Sequence, residues 1–363
     1  MRWKDNWEEV REHHRRWWRR DGLVVVASVP RTVAAASPAR DPAAADPGPP
    51  RDAEARHADP DQVAAVCHDW LAHCALPLDT LPMACVNLGP GSLALYLGSE
   101  PGFSDDTVWF HPLADQSALD RPLRLQPENR WWRRQLALID AVRARSAGRY
   151  PVGLPDLVEN LDVLASLRDT QTLMIDLVER PDWVRTKIAE INRVYFEAYD
   201  RLHACVALPD GSSCFGAFHL WGPGRTAKVQ CDALAMISPA MFAEFVQPAL
   251  AEQCDWLDGA MFHLDGAQAI VHLPALLEIP GLDAIEYTPQ TGLEGGGHER
   301  WWPLYRQVLK AGKAVQIVAV KPAEVGPLLD ALGPHGVYLQ VEGIGDAATL
   351  RAVESEVRRR YPR

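Results

Sequence analysis

Residues 228–266 read KVQCDALAMISPAMFAEFVQPALAEQCDWLDGAMFHLDG. A short run of alternating apolar and polar residues, KVQCDAL (228–234), leads into an amphipathic stretch, and a second run, AMFHLDG (260–266), follows. The middle stretch, 237–257, carries Ser238 as an N-cap and Pro239 at the first helical position, where a missing N–H costs nothing. The segment is therefore predicted as strand, helix, strand, with the two strands parallel.

The same alternation extends in both directions. Strands are expected at LVVVASVPR (23–31), MACVNL (83–88), PVGLPDL (151–157), AIEYT (284–288), AVQIVAV (314–320) and GVYLQVEG (336–343), which with the two above makes eight. CFGAFHLW (214–221) is expected to pair with the 228–234 strand as a hairpin through GPGR (222–225). Helices are expected at 181–203, opening on Pro181, and at 301–312, ending at Gly312. Strands that are apolar through their centres and alternate with helices are parallel and covered on both faces. The predicted fold is an α/β TIM (β/α)8 barrel over 23–363, with an N-terminal helical extension over 1–22. A doubly wound sheet is the alternative, weakened because no Gly-rich phosphate fingerprint follows an early strand. The Ala/Pro-rich segment 33–60 is expected to be a long loop, and GLEGGGHER (292–300) a flexible flap.

Composition narrows the function classes. The chain has 363 residues, 47% hydrophobic and 23% charged, with a formal net charge of −11. Such acidity argues against nucleic acid as the main partner. The basic run Arg11–Arg20 is expected as a surface helix with Trp3, Trp7, Trp17 and Trp18 packing inward. No window reaches the ~20 apolar residues of a membrane span, and MRWKDNWEEVREHHRRWWRR has charge where a signal peptide needs an apolar core. The 7 cysteines, without a C-x-x-C pair, fit reduced thiols in a cytoplasmic protein. A homodimer is compatible with all of this.

In a barrel the active site collects at the C-terminal ends of the strands. Those ends carry Arg31, Asn87, Asp156, Cys231 with Asp232, His263 with Asp265, Glu286 with Tyr287, Gln316, and Gln340 with Glu342. His263 and Asp265 stand two apart on a strand and share a face. Imidazole and carboxylate together can ligate zinc, or the carboxylate can orient the imidazole for proton transfer. They can equally be a capped strand end. Cys231 is read either as a soft thiolate ligand or as a small buried hydrophobe. Asp232 and Glu286 are candidate carboxylates for catalysis. Arg31, Asn87, Asp156, Trp221, Tyr287 and Gln340 are candidates for holding substrate. The metal candidates are His263, Asp265, Cys231 and Glu342. This lining of acids and aromatic rings suits a metal, a cation or a methylated amine better than a polyacid.

QCDALAMISPAMFAEFVQPAL (230–250) followed by HLDG (263–266) resembles the uroporphyrinogen decarboxylase-like superfamily. VNLGPGSLALYLG (86–98), PDLVENLDVLASLRDT (155–170) and HLDGAQAIVHLPALLEI (263–279) are similar to it as well. The resemblance spans about residues 80–345. It implies a TIM barrel with one of two chemistries. One branch decarboxylates a tetrapyrrole without a cofactor. The other uses zinc to move a methyl group between a corrinoid, or a folate, and a thiol, in some cases with a corrinoid protein as partner. By position, Asp232 matches the fourth-strand Asp and His263 the histidine of the zinc motif. Asp265 stands where that branch has its first Cys ligand, and no cysteine matches the last ligand. The resemblance thus implies zinc-dependent methyl transfer on a small molecule. Cofactor-independent decarboxylation or lysis of a small carboxylate, and non-catalytic binding, are the alternatives.

Overall fold

The computed structural model describes residues 3–27, 29, 33, 41 and 46–362. Ten strands are described in chain order. They are β1 (Leu23–Ala27), β2 (Glu100–Phe103), β3 (Val108–His111), β4 (Ser213–Phe215), β5 (Leu220–Gly222), β6 (Thr226–Gln230), β7 (Gly259–Asp265), β8 (Ala284–Thr288), β9 (Ala314–Val320) and β10 (Val337–Val341). Six of them form one parallel sheet in the order β1-β10-β9-β8-β7-β6. The protein is thus a mixed α/β structure with long helices against a parallel sheet.

Two of the eight expected strands are not regular. MACVNL and PVGLPDL meet in a single parallel bridge, Ala84 with Val152. Pro151 and Pro155 remove ladder donors from the second of these, which explains the short pairing. Side chains take over at the two edges of the sheet. On β1, Val25 N–H donates to Asp79 Oδ2 (2.8 Å) and Ala27 N–H to Thr80 Oγ1 (3.0 Å). On β6, Gln230 N–H donates to Glu159 Oε1 (2.6 Å), and Thr226 C=O accepts from Tyr199 Oη (2.8 Å). Edge groups left bare would invite pairing with another chain.

The faces of the sheet follow the period-2 alternation. Leu23, Val25, Phe262, Ile285, Val315 and Leu339 join the large core beneath the helices. Val24, Val26, Met261, Ala284, Ala314 and Tyr338 face the other way, onto Trp17, Trp18, Phe215 and Leu220. Trp17 and Trp18 come from the helix Trp7–Trp18, whose six buried residues recur at helical spacing. Trp18 Nε1–H donates to Trp221 C=O (2.9 Å), tying this helix to β5. Trp3 and Trp7 are buried too, as the basic amphipathic run implied.

Several expectations are corrected. The run 214–221 does not form a ladder with β6: it folds on itself as the β4–β5 hairpin, with Cys214 opposite Trp221. The hairpin β2–β3 was not anticipated. Helix 237–257 is one rod from Pro239 to Trp256, interrupted by a π-helical turn at Phe242–Val246 just before Pro248. A proline there has no N–H for the ladder and crowds the preceding turn. The expected loop 33–60 contains the helix Ala53–Ala58, capped by Asp52, whose carboxylate accepts from Ala55 N–H. The 292–300 flap is packed against the sheet: a Cβ on Gly296 would lie 2.3 Å from Val318 C=O, and Tyr305 Oη donates to Gly296 C=O (2.7 Å). Its glycines permit close backbone approach. Among the described residues, no helix is long and apolar enough to cross a membrane.

Candidate metal centre

Register sets the site. Gln230 of β6, His263 of β7, Glu286 of β8, Gln316 of β9 and Tyr338 of β10 lie opposite one another in consecutive pairs, on the face shared with Trp17 and Trp18. Residues paired directly in a parallel sheet point to the same side, so this rung is a continuous polar row. Two residues further on, Asp265 pairs with Thr288, and Asp232 follows the end of β6.

His263 is held from below by its neighbouring strand. Its Nδ1–H donates to Glu286 Oε2 in a short contact, and Glu286 Oε1 accepts from Thr288 Oγ1 (2.8 Å). Glu286 is fully buried. Burial pushes the imidazole pKa down, but the charge and hydrogen bond of Glu286 outweigh it and hold His263 above its ordinary value. With Nδ1 committed, Nε2 is the ring nitrogen left for a ligand. Asp232, His263 and Asp265 bring one donor atom each to within 4.8 Å of one another. Carboxylate behind imidazole behind an open donor set is the usual outer support of a metal-ligating histidine. The expected orienting carboxylate was Asp265. The structure gives that role to Glu286, from the next strand.

Asp232 sits at the mouth, exposed, with its pKa raised by partial burial against the lowering influence of His263 and Lys228. Its main-chain N–H donates to Asp162 Oδ2 (2.7 Å), and Ala233 N–H to Asp162 Oδ1 (2.9 Å). Burial, and then the charge of Asp232, raises Asp162 to about 6. Gln230 Nε2–H donates to Asp232 Oδ2 (3.0 Å), and Lys228 bonds both Gln230 Oε1 and Asp156. Glu159, wholly buried, is driven well above the normal carboxyl range by burial, against the charge of Lys228. A cavity of about 440 Å³ opens beside Gln230 and Asp232, walled by Trp109 and Phe110 of β3, Asp162, Ser166 and Met236.

The remaining predicted residues divide into two groups. Asn87 and Asp156 are near: Asn87 Oδ1 accepts from Asp156 N–H (3.2 Å) and from Ser92 Oγ (3.3 Å). Gln340 lies one step beyond Tyr338 on β10, with a buried Oε1 that has no hydrogen-bond partner. Four do not join. Cys231 points to the opposite face, buried, its Sγ 3.8 Å from Asp162 Oδ1, and burial keeps it a thiol. Adjacent strand residues alternate sides, so Asp232 and Cys231 cannot both serve. Tyr287 faces away from Glu286 for the same reason, packing on Trp301 with ring centroids 4.9 Å apart. Trp221 is buried at the other end of the sheet, under Arg11 and Arg15 and near Trp7. Glu342 is exposed past the end of β10 and outside the donor triad. Arg31 lies outside the described residues.

Sequence reading missed Lys228, Glu159 and Asp162 as partners of the site. For Lys228 the signal was present: Lys228 and Gln230 alternate on one strand and so share a face, and Asp232 follows two residues on. Compared with known proteins, the chain matches no protein-family model and no curated protein.

Proposed function

We propose that this protein is a zinc-dependent enzyme of the uroporphyrinogen decarboxylase-like kind, transferring a methyl group between a thiol and a methylated carrier or small molecule. The observation that carries the reading is the cluster Asp232, His263 and Asp265, backed by the buried Glu286. One nitrogen and two carboxylate donors fit zinc, which accepts imidazole and carboxylate, and three protein ligands leave a position open for substrate. The (β/α)8 barrel belongs to the same proposal: segments 83–88 and 151–157, with Asp79, Thr80 and Glu159 at the sheet edges, take the places of the second and third strands.

The chemistry such a centre supplies is a lowered pKa for a substrate thiol, so that it reacts as thiolate at neutral pH. The rest falls to the chain. Glu286 keeps the proton on His263 Nδ1 and so fixes the ring orientation. Gln230 turns Asp232 toward the centre. The cavity lined by Trp109, Phe110, Met236, Asp162 and Asp232 receives the body of the substrate, offering it aromatic, thioether and carboxylate groups. The partners are a small-molecule thiol and, where the methyl group travels on a corrinoid, the protein carrying it.

A second reading is cofactor-independent decarboxylation or lysis of a small carboxylate. It is favoured by the raised pKa of His263 and by the buried Lys228, one residue pair earlier on the same face of the sheet, which give a proton donor and a cation on neighbouring rungs. Metal analysis of the purified protein separates the two. One zinc per chain is expected, lost in His263→Ala, with methyl transfer from methylcobalamin to simple thiols abolished by exhaustive chelation. A protein that binds no divalent metal overturns the first reading. A turnover that survives chelation but not His263→Ala establishes the second.

A further inference from the structure

We infer that Lys228 is a positioning residue for the centre: acting through the side-chain amide of Gln230, it fixes the carboxylate of Asp232 in the orientation of a metal ligand. The inference rests on the metal reading above and extends it to Lys228 and Asp156, to which that reading gives no role.

Lys228, Gln230 and Asp232 follow one another on the same face of β6 and its extension. The Lys228 side chain is 1% exposed, and its Nζ lies 2.8 Å from a carboxylate oxygen of Asp156. It also donates to Gln230 Oε1. Gln230 Nε2–H then donates to Asp232 Oδ2 at 3.0 Å. An ammonium carries donors and no acceptor, so only the oxygen end of the Gln230 amide can face it. That dictates which end faces Asp232. The amide presents N–H to the carboxylate, and the reverse orientation, oxygen against oxygen, is closed off. Asp156 pairs with the buried cation, and Gln230 carries a directed hydrogen bond from it to Asp232. Both ends of the chain are anchored: Asn87 accepts from Asp156 N–H (3.2 Å), and Gln230 N–H donates to Glu159 (2.6 Å).

Stability alone is weak ground for such a pair. A buried ion pair is commonly replaced by apolar groups of similar volume without loss of stability. Its consequence in this protein is at Asp232, the ligand candidate that lies beyond the end of its strand and whose carboxylate Gln230 holds.

The test uses the full chain loaded with zinc, or with cobalt(II) as a spectroscopic probe. Zinc affinity is measured by competition with a chromophoric chelator, and the cobalt(II) visible spectrum reports ligand geometry. Gln230→Met is expected to weaken zinc binding about tenfold, at the low end of what loss of an outer partner of a ligand costs. Its cobalt spectrum should shift while the melting temperature of the metal-free protein stays put. The paired change Lys228→Met with Asp156→Leu removes the link without leaving a buried charge, and it should weaken binding to a similar degree. Adding Gln230→Met to that pair should then cost little more, because all three residues act through one bond. Wild-type affinity and an unshifted spectrum in both Gln230→Met and the paired variant overturn the inference and leave the metal reading standing. A wild-type protein that binds neither metal overturns both.

Discussion

Glu286 shows how much one buried carboxylate decides. It is fully enclosed, bonded by Thr288, and among the described residues faces one titratable partner at hydrogen-bond distance, His263. In the metal-free protein the imidazole should titrate above its ordinary 6.5, because the charge of Glu286 outweighs burial. Replacing Glu286 with Gln leaves burial as the main influence, and the His263 pKa should fall below 6.5, read by NMR titration of its ring protons. The sign for stability follows from linkage. A histidine raised in the folded state adds stability that is fully present below the unfolded pKa and fades as pH climbs through the raised value. The wild-type protein should therefore lose this contribution above about pH 6.5, and Glu286→Gln should not show that loss. An unchanged His263 titration in the variant would refute the assignment. At this scale sequence was a partial guide. His263 and Asp265 are two apart and visibly share a face, whereas Glu286, 23 residues from His263, reaches it only because β7 and β8 pair in one register.

Among the elements, the helix Trp7–Trp18 covers one face of the sheet with its buried tryptophans. Trp17 is entirely buried, its ring 4.6 Å from that of Trp18 and 5.2 Å from that of Tyr338, and its Nε1–H donates to Val315 C=O (3.4 Å). Trp17→Ala should cost about 3–5 kcal/mol of unfolding free energy, since it removes a fully buried indole packed against the sheet. Trp109→Ala, at a position 66% exposed on the rim of the cavity, should stay within about 0.5 kcal/mol of wild type. Denaturant unfolding of the two variants checks both values, and equal effects would mean that the helix does not seal the sheet. The helix itself was legible, because its apolar residues recur at helical spacing among arginines. The two irregular strand segments were not. Periodicity suggested strands at 83–88 and 151–157, but prolines at 151 and 155 left the ladder short of donors, and Asp79, Thr80 and Glu159 replaced backbone partners.

For the whole molecule, the centre links parts that are distant in sequence. Asp232 follows β6, His263 and Asp265 lie on β7, Glu286 lies on β8, and the arm to Lys228 is anchored at Asn87. A ligand that binds only the folded state stabilises it by about 2.7 kcal/mol at a hundred times its dissociation constant. Zinc in that excess should raise the melting temperature by a few °C, and a chelator should reverse the rise. Asp232→Asn with Asp265→Asn should abolish it, read by scanning calorimetry. A melting temperature indifferent to zinc would remove the metal from the reading.

The amino-acid sequence by itself determined the alternation of strands and helices, the inward tryptophans of the first helix, and the placing of Asp232, His263 and Asp265 near strand ends. Those features are local: they depend on period, caps and side-chain size, which a short window contains. Only the tertiary structure decided which carboxylate serves the histidine, that Cys231 and Tyr287 turn away, and that Trp221 belongs to the opposite end. The reason is strand register. Moving one residue along a strand reverses the face, and pairing between strands selects which distant side chains meet, so neither can be read from one segment alone.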